Sequence, residues 1–269
     1  MKKLYSLLTL ITLLFLFSTS NVFSQATVKT VSSFDANGTY NIGDNLDIII
    51  WFSESITVSG TPRLELETGS SDAFANYYSG SGSAFITFRY TVAEGESSSD
   101  LAYTGTSSLA NNGGSSMLGS GSTPATLTLP AVGASGSLSQ AQAFVIDGIK
   151  PTMTITSSTS GVTDGSTTND STIALTFTSS ESTTGFAAAD ITVTNGTISS
   201  FAGSGTTYTA TFTPSGEGAT TIDVAAQTFK DSAGNDNSAA TQYNWTYDNT
   251  APTNQNNVFP SAASETVGG

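Results

Sequence analysis

The 269 residues contain no cysteine and no histidine. The first absence rules out disulfide staples and thiolate metal sites, so each domain must be held by its own core or by bound ions. The second removes the commonest general base and the commonest nitrogen ligand for a metal. Serine is plentiful, yet it falls in turns such as Gly80-Ser81-Gly82, with no nucleophile-elbow motif and no base partner. An enzyme is therefore not expected. Glu65 and Glu67 share one strand face as a glycosidase pair would, but they alternate with Leu64 and Leu66 and read as the solvated side of a strand.

Positive charge is also scarce. Seven Lys+Arg stand against 21 Asp+Glu, a formal net charge of −14, which makes nucleic acid and anionic membrane surfaces poor partners. Long apolar runs are missing after the first residues, and a membrane-spanning helix needs roughly twenty consecutive apolar positions. No membrane span is expected in the mature chain. The one apolar run, residues 7–17, follows Lys2 and Lys3 and leads to Val22-Phe23-Ser24, whose small residues suit signal peptidase. Residues 1–24 are thus expected to be a signal peptide and the mature chain to be secreted or extracellular, associated with a cell surface. No cysteine follows the cleavage point, so lipoprotein anchoring is not expected there.

What is present is β-sheet material. Aromatic residues make up 10% of the chain and charged residues only 10%, with 26 glycines to turn it, a balance that fits a turn-rich all-β protein and not an unfolded acidic one. Asp147-Gly148-Ile149-Lys150-Pro151-Thr152 returns almost unchanged as Asp248-Asn249-Thr250-Ala251-Pro252-Thr253. A repeated junction with a proline that ends strand pairing marks module boundaries. The expected organisation is a first module over residues 26–149, a second over 150–249, and a linker with the truncated start of a third over 250–269. In the first module Leu46, Ile48, Ile50 and Phe52 alternate with Asp47, Ile49 and Trp51, a period-two strand. Residues 38–44 read as a turn and residues 111–122 as a mobile Gly/Ser loop. The second module shows seven alternating segments, at Met153-Thr154-Ile155, residues 173–177, 191–193, 198–201, 208–212, 222–224 and 243–247, separated by turn signals. Seven short strands at that spacing indicate an immunoglobulin-like sandwich, and the fold class expected is all-β, tandem immunoglobulin-like β-sandwich domains.

That topology sorts the acidic residues. The loops after the second, fourth and sixth strands return to the pole where the linker arrives, which gathers Asp147, Glu181, Asp190, Asp231 and Asp236. The opposite pole is expected to hold Asp164, Asp170, Glu217 and Asp248. Five converging carboxylates call for solvation or a bridging cation, and Ca²⁺, a hard ion taking six to eight oxygens, fits. Turn formation and solubility are the plainer explanations for loop Asp and Asn. The run from Asp231 is not an EF-hand, because it lacks the twelve-residue spacing and the terminal glutamate. Tyr77, Tyr78, Trp51 and Trp245 are sugar-stacking candidates that are first of all candidates for core packing.

Several stretches also carry a family resemblance. Gly43-Asp44-Asn45-Leu46-Asp47-Ile48, Phe52-Ser53-Glu54-Ser55-Ile56-Thr57-Val58, Pro62-Arg63-Leu64-Glu65-Leu66 and Phe88-Arg89-Tyr90-Thr91-Val92 resemble a repeat of very large bacterial surface proteins. Ala189-Asp190-Ile191-Thr192-Val193-Thr194-Asn195-Gly196, with Phe229-Lys230-Asp231-Ser232-Ala233-Gly234-Asn235, resembles the bacterial Ig-like domain that alternates with it. The resemblance implies an extracellular stalk or adhesin, with structural calcium at domain junctions. A host, cell-surface or glycan ligand would be engaged by regions beyond residue 269. The alternative from another class is an accessory stalk or carbohydrate-binding module of a secreted carbohydrate-active enzyme.

Overall fold

The computed structural model describes residues 24–252. The signal segment, Ser24 apart, and the module start expected over residues 253–269 lie outside them. Of the described residues, those up to Lys150 together with Ala233–Asn235 form one compact unit, and the others, from Pro151 on, form a second.

The first unit contains strands β1 (Val28–Ser33), β2 (Gly38–Asn41), β3 (Asn45–Ser59), β4 (Arg63–Glu67), β5 (Ala73–Ser79), β6 (Ser83–Thr91), β7 (Ser97–Ser98), β8 (Ala102–Tyr103), β9 (Leu109–Ala110), β10 (Ser116–Leu118) and β11 (Phe144–Asp147). The larger sheet runs β1-β3-β6-β5-β4-β8, with β10 on β3 and β9 on β4; the smaller runs β2-β11-β7. The alternation in β3 turns Leu46, Ile48, Ile50 and Phe52 inward against Ile86, Phe88 and Tyr90 of β6. Phe144 and Ile146 of β11 complete the same core, and Tyr40 meets Phe144 edge-on with centroids 5.6 Å apart. Each large apolar side chain buried in this way contributes about 1.5–3 kcal/mol.

Two local expectations fail here for one reason, a distant partner. Gly38–Asn41, inside the expected turn, is a strand paired in parallel with β11 from Phe144↔Gly38 to Asp147↔Asn41. The expected mobile loop at 111–122 contains β10, whose Met117 is buried in the core and pairs with Val58. Asn235, one of the three late residues of this unit, accepts the Ile42 N–H on Oδ1 (2.9 Å) and donates Nδ2–H to the Asp147 carbonyl (2.8 Å). One buried amide therefore bridges the chain just after β2 and the last residue of β11.

The second unit contains β12 (Met153–Ser157), β13 (Ser166–Thr168), β14 (Ile173–Ser179), β15 (Thr183–Thr184), β16 (Ile191–Thr194), β17 (Gly196–Ser204), β18 (Thr207–Pro214), β19 (Gly218–Val224), β20 (Lys230–Asp231) and β21 (Tyr243–Tyr247). Two four-stranded sheets, β12-β14-β18-β17 and β13-β21-β19-β16, share one core, and β15-β20 form a small ribbon beside them. All seven expected strands are present, joined by β13, β15 and β20. Trp245 is buried against the edge of Phe212, centroids 6.0 Å apart. Its indole N–H donates to Thr168 Oγ1 at 3.1 Å, from β13, which lies parallel to β21. Edge strand β17 shifts register against β18 between Ser199 and Ala202, where Ser200 has φ 52°.

Candidate functional site

One end of the second unit is built from the turn after β14 and the long connection from β19 to β21. The ribbon pins the two together, Thr183 opposite Asp231 and Thr184 opposite Lys230, with Thr184 Oγ1 donating to the Asp231 carbonyl at 3.1 Å. Strand β14 returns the chain to this end, so Glu181 follows it directly, and the ribbon sets Asp231 beside it. Carboxylate oxygens of Glu181 and Asp231 lie within 4.8 Å of one another, with Asp231 buried and Glu181 half-buried. Two carboxylate oxygens this close, one of them on a buried residue, are hard donors of the type that Mg²⁺, Ca²⁺ and Mn²⁺ all accept.

The other expected carboxylates have different local tasks. Asp190 Oδ2 accepts the Ala187 N–H at 2.8 Å and closes the 3-10 turn Ala188–Asp190 that feeds β16. Asp236 Oδ1 takes the Lys230 ammonium at 2.5 Å, an exposed pair of small energetic weight. Asp147, in the first unit, accepts the Ile149 N–H on Oδ1 at 3.3 Å, and its carbonyl holds Asn235. The fold thus brings Glu181 and Asp231 together within the second unit and gives Asp190 and Asp236 other partners.

At the opposite pole the expected grouping is only partly met. The Asp248 N–H donates to the Thr168 carbonyl, Thr168 Oγ1 to Asp170, and Thr250 Oγ1 to Glu217, so Asp170, Glu217 and Asp248 share that end. Asp164 does not. Its Oδ1 accepts the Asn244 N–H at 2.7 Å, near the start of β21, because β13 runs parallel to β21 and the chain must cross back before entering it.

Sequence reasoning missed Asn237. It is 1% exposed, and its Oδ1 accepts the N–H groups of Thr228 and Phe229 while its Nδ2 donates to the carbonyls of Ala225 and Ser238. The run Gly234-Asn235-Asp236-Asn237 looks like turn formers. No local signal in that run marks Asn237, because its four backbone partners lie in the 225–229 turn and at Ser238. Among the aromatic candidates, Trp245 is core and Tyr77 packs against the core, whereas Tyr78 is exposed and Trp51 lies on an outward strand face. Glu65 also stands outward and accepts the Thr104 hydroxyl at 2.8 Å. Among the described residues, no helix is long and apolar enough to cross a membrane.

Residues 147–247 match the family described as the bacterial Ig-like domain. No curated protein matches the chain.

Proposed function

We propose that this chain, with a bacterial Ig-like domain over its second unit, is a non-enzymatic spacer that is secreted or held at a cell surface and carries tension as the stalk of a bacterial adhesin. The observation that carries the proposal is shared by both units: the closing strand lies parallel to an early one, β11 on β2 and β21 on β13. The chain enters each early strand at its N-terminal end and leaves each closing strand at its C-terminal end. Tension on the chain ends then slides the two strands along each other and loads the bridging hydrogen bonds together, where a hairpin pulled open would lose them one at a time. Single-molecule extension tests this. Pulling through the chain ends should need clearly more force than pulling tethers placed to unzip β17 from β18, and equal forces would overturn the spacer proposal.

Calcium belongs to the same proposal as a stiffening ion. Glu181 and Asp231 form the pair that takes it. Extracellular sites of this kind bind at about 10⁻⁴–10⁻³ M, and an ion at a hundred times its dissociation constant adds about 2.7 kcal/mol. Calcium in the tens of millimolar should raise the melting temperature of the intact chain, and Asp231→Asn should abolish most of the rise. A wild-type melt indifferent to calcium would remove the ion and leave the force experiment to judge the spacer.

A further inference from the structure

The outward face of the larger sheet in the first unit is unusually aromatic for a solvated sandwich exterior. Phe34 is 83% exposed, Tyr78 53% and Phe85 49%. Ile49 is only 5% exposed although it belongs to the outward row of β3 and takes no part in the core. It forms the floor of a shallow cleft of about 240 Å³ whose rim carries those three rings. That is below the roughly 300–1,000 Å³ of sites that enclose a small molecule, and it suits a ligand lying along a surface. The aromatic surface continues past the cleft. Trp51, two residues on in the same row and opposite Phe85, has its ring 4.8 Å from the Phe85 ring at an inclination of 49°.

Polar groups on this face are held in place beforehand. Asp47 accepts Arg89 Nε and Nη2 at 2.7 Å each, a two-pronged pair, and the guanidinium lies 3.6 Å from the centroid of Tyr78. Asp35 Oδ2 accepts the Asp47 N–H at 2.7 Å and the Ser33 hydroxyl at 3.3 Å. Both carboxylates line the cleft. An aromatic patch alone would read as a site for any apolar partner. Rings alternating with a pre-aligned carboxylate and guanidinium match something narrower.

We propose that this face is a binding platform for a neutral polysaccharide. A pyranose ring has one face of C–H groups, slightly positive at hydrogen, that settles on the negative face of an aromatic ring, and an edge of hydroxyls that both donate and accept. Phe34, Tyr78 and Phe85 supply the flat surfaces. Asp35 and Asp47 accept from hydroxyls, and the guanidinium of Arg89 donates to them. Because these charged groups are fixed by one another, little side-chain freedom is lost on binding. Charge selects the class: the chain carries −14 overall, and the two cleft carboxylates outnumber the one arginine, so anionic glycans are repelled. The platform does not depend on the spacer proposal, since a stalk without it would still bear load.

The intact chain can be run in native gels cast with cellulose-type β-glucan, β-1,3-glucan, xylan, mannan or galactan. At least one should retard it, with a matching change in Trp51 emission on titration with oligosaccharides of that glycan. Tyr78→Ala with Phe85→Ala should weaken retention by about tenfold or more, as loss of ring contacts predicts, and Tyr78→Phe should keep it. Both substituted rings are exposed, so an unchanged melting temperature serves as the folding control. No retardation by any of the five glycans, or retardation unaltered in the double variant, overturns the proposal. So does a double variant that alters only self-association in sedimentation, which would make a second copy of the chain the occupant.

Discussion

Tyr90 shows how a single side chain ties folding to pH. It is 1% exposed, and its hydroxyl donates to Glu96 at 2.7 Å, a carboxylate that also takes the Ala93 N–H. Burial first, then the Glu96 hydrogen bond and charge, push the phenol well above its ordinary value of 10.0. Tyr103 and Tyr40 in the same unit are raised as well, each chiefly by burial. A folded-state value above the unfolded one stabilises fully below pH 10, and that contribution is lost as pH climbs through the raised value. The first unit should therefore weaken above about pH 10, and Tyr90→Phe should flatten the alkaline fall while lowering stability at neutral pH. Thermal melts of wild type and variant across that range would check both signs. Residues were legible in the sequence as types more than as roles. The acidic character of the linker pole was plain from topology. That Asp190 closes a turn and Asp236 meets Lys230 depends on which neighbour each loop atom faces, and no periodicity encodes that. Asn235 and Asn237 looked like turn formers, yet both are buried amides that satisfy backbone groups.

Elements were read most reliably where a strand has one wet and one dry face. β3, β14 and β18 announce themselves by alternation, and each lies where the alternation places it. β2 and β13 do not. Gly38-Thr39-Tyr40-Asn41 and Ser166-Thr167-Thr168 are short and polar, with no buried residue. They are strands only because β11 and β21 offer them a parallel edge about a hundred residues and about eighty residues later, and long-range pairing leaves no local trace. β13 nonetheless has a specific anchor in the Trp245 indole. Thr168→Val keeps the shape and removes the acceptor, stranding a buried N–H at a cost of about 1–3 kcal/mol. Urea denaturation should show that loss in the second unit. A Trp51→Phe background would isolate the emission of Trp245, and an unchanged midpoint would mean the indole finds another partner.

At the scale of the whole molecule, two hydrophobic clusters, one per unit, share no residue. Phe177 is fully buried in the second, and Phe177→Ala should cost about 3–5 kcal/mol there. Hydrogen exchange read by mass spectrometry should quicken in β14, β18 and β21 and leave β3 and β6 unchanged. Faster exchange in both units would show that they fold as one cooperative body. The two-unit division has a further consequence at edge strand β17. An unpaired edge is a template on which a neighbouring, half-folded sandwich can add its own strand, and sandwiches strung on one chain are held at high local concentration. The register shift at Ser199 to Ala202, with Ser200 turned to φ 52°, breaks that edge into two short, differently twisted pieces. A second strand laid against this edge would therefore find no long flat stretch to pair with, in the folded protein as well as before folding is complete.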